Sequence, residues 1–213
     1  MKNIIKAIKI KKELKRFKNF KINYNFQQGT LKEENGAYFF ENVCIKENEN
    51  SDFIGEGDNY VNVGYKLKGA LPKILSNLFP YTFYFRGYTL HSIESFFQSL
   101  KFKNVKAQKQ IFLLSGLDSN NIKGAKEFDW SQEQTLYFLG KPYKRNSKEY
   151  ETLVDELYVS LLQNPLYVNA LKNVGDKYIL HAIGEEDHTK TVFSRYEFEK
   201  QLNCLKEYCI KYK

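Results

Sequence analysis

Glu94, Gln98 and Lys101 recur at i, i+4 and i+7, a spacing that puts a carboxylate, an amide and an amine on one side of a helix. Ile93, Phe97 and Leu100 repeat that spacing one residue earlier, about 100° around the axis, and such an apolar stripe has to face a core. A carboxylate at a core margin can activate water or stabilise a developing cation. An amine beside it can hold a phosphate or, if desolvated, attack a carbon. Polar groups converging on a buried edge are what a ligand pocket needs. The same row also fits an ordinary solvated helix face.

The elements that position this row are legible around it. Ser92 is a natural N-cap, which sets Glu94 in the first turn, where free backbone N–H groups favour a charged carboxylate. Downstream the pattern predicts helices. Tyr150, Leu153, Val154, Leu157, Tyr158 and Leu161 keep the helical period between Ser147 and Gln163. Asn164-Pro165 closes that helix and opens a shorter one ending at Gly175. Ser194 and Glu197 form a capping box for the last helix, whose buried face is Phe198, Leu202, Leu205 and Cys209.

Upstream, between Lys21 and Leu67, the period is two. Ile22, Tyr24 and Phe26 alternate with polar residues, as do Val61, Val63, Tyr65 and Leu67, and residues 37–45 form a denser apolar run. Asn35-Gly36 is a hairpin signal, because both residues tolerate positive φ. The expectation is an α+β fold, mostly helical. It comprises a basic arm (residues 1–21) and one domain (22–213), whose first part (22–70) is β-rich and whose remainder is helical from Ser92.

Composition bounds the rest. The 213 residues are 42% hydrophobic and 16% aromatic, enough for one full core. No apolar run is long enough to span a bilayer and no secretory leader is evident, so a cytoplasmic protein with no membrane partner is expected. The cysteines, Cys44, Cys204 and Cys209, fit reduced thiols and no common zinc spacing. His181, Asp187 and His188 make a poor metal set, so no metal and no cofactor is expected.

The net charge is +8, and residues 1–21 hold all of it: eight lysines and Arg16 against Glu13, leaving 24 bases and 24 acids elsewhere. With Ile4, Ile8, Leu14 and Phe17 at partly helical spacing, the arm reads either as a tether to nucleic acid or an anionic surface, or as a helix packed on the domain. The charge balance of the remainder makes the arm look dispensable for folding.

The stretch Leu75-Ser76-Asn77-Leu78-Phe79-Pro80, then Phe83 to Gly87, then Glu94-x-x-Phe97-Gln98-x-x-Lys101-Phe102 resembles the signature of the NADAR (YbiA-like) domain. Asp129-Trp130 is similar to that family's later D-W element and Asn164-Pro165 to its N-P turn. From Leu71-Pro72 onward the arrangement is similar to a divergent branch found in large tailed bacteriophages. The family's closing D-x-x-W-G motif is not reproduced. Residues 183–189 offer Asp187 as the replacement acid, and no Trp-Gly follows it.

The resemblance implies an N-glycosidase acting on an ADP-ribosyl or ribosyl-phosphate group, free or as a modification on nucleic acid. It implies Glu94, Lys101 and Asp187 as catalytic groups, and Ser76, Asn77, Gln98 and Trp130 as ligand contacts. Glu94 would stabilise the ribosyl cation and activate water, while Lys101 would grip phosphate or act as a nucleophile. Gln98 would orient ribose hydroxyls or the water. Trp130 fits either a base-stacking platform or a core position. The alternative is a non-catalytic module that binds ADP-ribose-like ligands, or a nucleic-acid-associated protein acting through the arm.

Overall fold

The computed structural model describes residues 2–24, 26, 32–34, 37–40, 43–46, 53–122 and 129–213. The chain opens with helix α1 (Lys2–Asn23). Three strands follow, β1 (Lys32–Glu34), β2 (Ala37–Phe40) and β3 (Val43–Lys46), paired antiparallel in that order. Then come β4 (Tyr60–Asn62), α2 (Ala70–Ile74), the hairpin β5 (Phe83–Phe85) and β6 (Tyr88–Leu90), and α3 (Ile93–Ser99). Two short helices, α4 (Val105–Ile111) and α5 (Gly116–Asn120), lead on to α6 (Trp130–Glu133) and a second hairpin, β7 (Thr135–Phe138) and β8 (Lys141–Lys144). The C-terminal part is α7 (Lys148–Leu161), α8 (Pro165–Val174), β9 (Tyr178–Leu180) and α9 (Arg195–Tyr212). This is the mostly helical α+β fold expected.

The helix boundaries follow the caps. Ser92, Ser147 and Ser194 each accept a backbone N–H from the first turn of α3, α7 and α9, and the Ser194–Glu197 capping box is complete. Asn164 caps α8, with Pro165 at its first position, where a missing N–H costs nothing. The expected inward face of α9 is buried, and Cys204 and Cys209 are buried free thiols.

The strands depart from the sequence reading in three places. Ile22 belongs to α1, which runs on to Asn23, and Tyr24 and Phe26 are not in a strand. Tyr24 stacks on Phe20 at 5.8 Å and Phe26 on Tyr178 at 5.9 Å, so these side chains serve packing. The run from Val61 to Leu67 supplies only two residues, Val61 and Asn62, to the three-residue β4, whose partner is the distant β9, in parallel register. Strands also occur after Ser92, in the β7–β8 hairpin and β9.

Local turn chemistry explains the hairpins. Arg86 and Gly87 both take positive φ, 44° and 96°, the geometry of a tight turn matched to strand twist. The expected turn at Asn35-Gly36 lies outside the described residues, between the paired strands β1 and β2.

One core runs from α1 to α9. Phe17, Leu157, Tyr158, Leu202 and Tyr208 are wholly buried in it, and α1 packs on α7 and α9. The Phe17 ring meets Tyr208 edge-on at 5.5 Å, and Lys21 pairs with Asp155 of α7 at 2.7 Å. The second half of α1 is therefore packed into the same core, and its removal is expected to destabilise the domain, contrary to the view of the arm as dispensable. The reason is burial of an aromatic side chain, which charge counting does not register.

Candidate functional site

α3 is the floor of a cleft of about 590 Å³. Ile93, Phe97 and Leu100 are buried, which turns Glu94, Gln98 and Lys101 along the cleft wall. The first turn of α3 has backbone donors without partners inside the helix. The Glu94 N–H donates to the Asn77 carbonyl at 3.0 Å, which clips the Ser76–Asn77 turn onto the start of the helix. From α7, the buried Tyr158 hydroxyl donates to Asn77 Oδ1 at 2.8 Å, leaving the Asn77 amide as a donor on the cleft side. Gly116 lets α5 approach the same turn: a Cβ there would sit 2.3 Å from the Leu78 carbonyl oxygen.

The opposite wall comes from the parallel pair. Val63 and Tyr65 follow β4, and His181 and Ile183 follow β9, so the cleft opens at the C-terminal ends of both strands. Parallel strands commonly present ligand-binding loops there. The loop before α9 completes the cleft with Lys190 and Phe193, whose ring stacks on Phe97 at 4.6 Å.

Glu94 sits deep in the cleft, and burial pushes its carboxyl above the usual 4.5, although Gln98 and Lys101 pull it back. Its Oε1 accepts from Gln98 Nε2 at 2.6 Å. Lys101 Nζ lies 5.2 Å from the centre of the Trp130 ring. Trp130 is buried behind that ammonium and is not among the lining residues, so it supports Lys101 rather than offering a face to a ligand.

Asp187 also stands outside the cleft. Its carboxylate accepts from Thr189 N and Oγ1 at 2.9 and 2.7 Å and pairs with Lys190 Nζ at 3.2 Å, and these contacts hold it down to about 2. Asp187 therefore anchors a cation that lines the cleft instead of closing the cleft itself. Of the seven residues singled out in the sequence, Ser76, Asn77, Glu94, Gln98 and Lys101 meet at one wall; Trp130 and Asp187 do not.

Sequence reasoning gave no special role to His181 and passed over Lys190. His181 Nδ1 lies 2.7 Å from the Val63 carbonyl, which fixes Nδ1 as the protonated nitrogen and Nε2 as the lone pair. Burial and the Arg195 guanidinium lower the His181 pKa, so the ring stays neutral. The backbone N–H of His181 donates to Glu199, which also binds Arg195. No motif or spacing marks either residue, because His181 reaches the cleft through the β4–β9 pairing and Lys190 through the loop before α9.

A second cavity of about 510 Å³ lies on the other side of Phe193, with its carboxylates already engaged: Asp155 with Lys21 and Glu197 with Arg145. Among the described residues, no group of His, Cys, Asp and Glu is arranged to hold a metal ion, and no helix is long and apolar enough to cross a membrane.

No solved structure matches the chain. It is 31% identical over 136 residues to a protein of Enterobacteria phage T4 described as "Uncharacterized 17.1 kDa protein in Gp30-rIII intergenic region", a match covering 62% of this chain and 88% of that protein. The family model described as Bacteriophage protein GP30.3 matches residues 70–207. That span holds every wall of the cleft except the segment after β4. The likeness to phage proteins expected from the sequence is thus given a definite place: the chain belongs to the bacteriophage protein GP30.3 family.

Proposed function

We propose that this protein hydrolyses an N-glycosidic bond to an ADP-ribosyl or ribosyl-phosphate group, as its NADAR-like motif implies. The observation that carries the reading is Glu94: a carboxylate in a polar cleft, its pKa raised by burial, on one row with an amide and an ammonium. Cleavage of the C1–N bond leaves the electron pair on the base nitrogen, which takes a proton from solvent, and positive charge on the ribose. Glu94 stabilises that charge and accepts a proton from water as the water oxygen bonds to C1. Lys101 and Lys190 hold the phosphates. Gln98, the Asn77 amide and the His181 Nε2 lone pair orient the sugar hydroxyls. The buried, unpaired Cys204 and Cys209 suit the cytoplasm, where thiols stay reduced.

Glu94→Gln keeps the shape and removes the charge. Release of ADP-ribose from ADP-ribosylated guanosine should fall about 10²-fold or more. Affinity for ADP-ribose should stay within a few-fold, because the lost interaction belongs to the transition state. Equal rates for the variant and the wild type would remove the enzymatic reading.

One observation favours a binding module instead. Asp187 is not among the lining residues, so Glu94 is the one carboxylate among the described residues that line the cleft. Under that reading the wild type binds ADP-ribose and does not release it from ADP-ribosylated guanosine.

A further inference from the structure

Helix α1 has two unlike faces. Ile10, Leu14, Phe17 and Lys21, spaced i, i+4, i+7 and i+11, lie against the domain. Ile4, Ile8, Lys11, Lys15 and Ile22 form a second row about 120° around the axis, with Ile5 farther round on the solvent side. Their spacing keeps that second row in register for five turns, about 27 Å. The row is open: Ile4, Ile5 and Ile8 are 66%, 50% and 51% exposed and Ile22 is 79% exposed. Lys9, Lys11, Lys12 and Lys15 are exposed around it, and among the described residues none of them forms an ion pair.

We propose that this outer face of α1 lies on an anionic phospholipid surface. Two independent features point to that partner. The entire net charge of the chain, +8, sits in residues 1–21, so the rest of the molecule neither attracts nor repels such a surface overall. The isoleucines then separate a bilayer from a nucleic acid: a phosphate backbone takes up lysines but has no use for large aliphatic side chains, whereas a bilayer interface takes both. Lysine stems lie along the apolar row and carry their ammonium groups to the headgroups. The inner face of α1 stays docked, so the helix holds the whole domain against the membrane plane. The expectation of no membrane partner rested on the lack of a spanning segment, and a helix lying in the interface needs none.

The test is sedimentation of the full chain with phosphatidylcholine vesicles, with and without about a quarter phosphatidylglycerol. The protein should pellet with the anionic vesicles and not with the neutral ones, and added salt should release it. Ile4→Ser/Ile5→Ser/Ile8→Ser should weaken vesicle binding at least about 10-fold. Lys11→Gln/Lys12→Gln/Lys15→Gln should weaken it about 10²-fold. Both sets alter exposed positions, so melting temperatures should match the wild type and a loss of binding cannot be ascribed to unfolding. Absence of binding to anionic vesicles at physiological salt overturns the proposal. So does tight binding to duplex DNA that the isoleucine variant leaves unchanged, which would assign the face to nucleic acid.

Discussion

Glu94 combines two demands that oppose each other. The first turn of a helix and a neighbouring ammonium favour its charge, while burial disfavours it, and burial is the larger effect. A carboxyl whose folded pKa exceeds its unfolded value binds a proton more readily in the native state. Its ionisation therefore costs stability as pH rises through that window, and the cost is absent at lower pH where it is protonated. Glu94→Gln should then melt no earlier than the wild type at neutral pH, even as it loses turnover. Carbon-13 NMR of the Glu94 carboxyl should show a midpoint above 4.5. Since Lys101 pulls that midpoint down, Lys101→Ala should move it higher still. A midpoint unmoved by Lys101→Ala would mean that the two groups do not sense each other.

At the scale of elements, the cleft depends on how α3 and α7 jointly hold one turn. The Asn77 backbone is tied to α3 and its side chain to Tyr158 of α7. Tyr158→Phe removes the buried donor and leaves Asn77 Oδ1 unsatisfied, which should cost about 1–3 kcal/mol in denaturant unfolding. It should also weaken ADP-ribose binding, because the amide would no longer be fixed in one orientation. Unchanged affinity in a destabilised Tyr158→Phe protein would show that the amide makes no ligand contact. The cleft-side residues of the β4–β9 pair are held differently. Val63 N donates to the Leu180 carbonyl at 2.8 Å, extending the ladder to the point where His181 turns into the cleft.

At the scale of the molecule, α1 is both a core element and an outward surface. Phe17 is wholly buried against α9, so Phe17→Ala should cost about 3–5 kcal/mol, read from denaturant unfolding. Removing residues 1–23 should destabilise the domain at least as much. A truncated chain with wild-type stability would show that the α1 contacts contribute nothing. The exposed isoleucines should behave oppositely, since their replacement removes no packing.

What the sequence by itself determined is what depends on neighbours along the chain. Ser92, Ser147, Asn164 and Ser194 marked helix starts because a cap bonds its own first turn. Glu94, Gln98 and Lys101 were placed on one wall because helical period fixes relative direction within a few residues. The tertiary structure decided everything that joins distant segments. Val63 and His181, 118 residues apart, meet because β4 and β9 pair in parallel, and a period-two run does not name its partner. Trp130 and Asp187 carried suitable chemistry, yet one is buried behind Lys101 and the other is engaged by Thr189 and Lys190 outside the cleft lining. The sequence left Phe17 open between a tethering arm and a helix packed on the domain, and only α7 and α9 decide for burial, since whether an aromatic side chain leaves water depends on the surface that meets it.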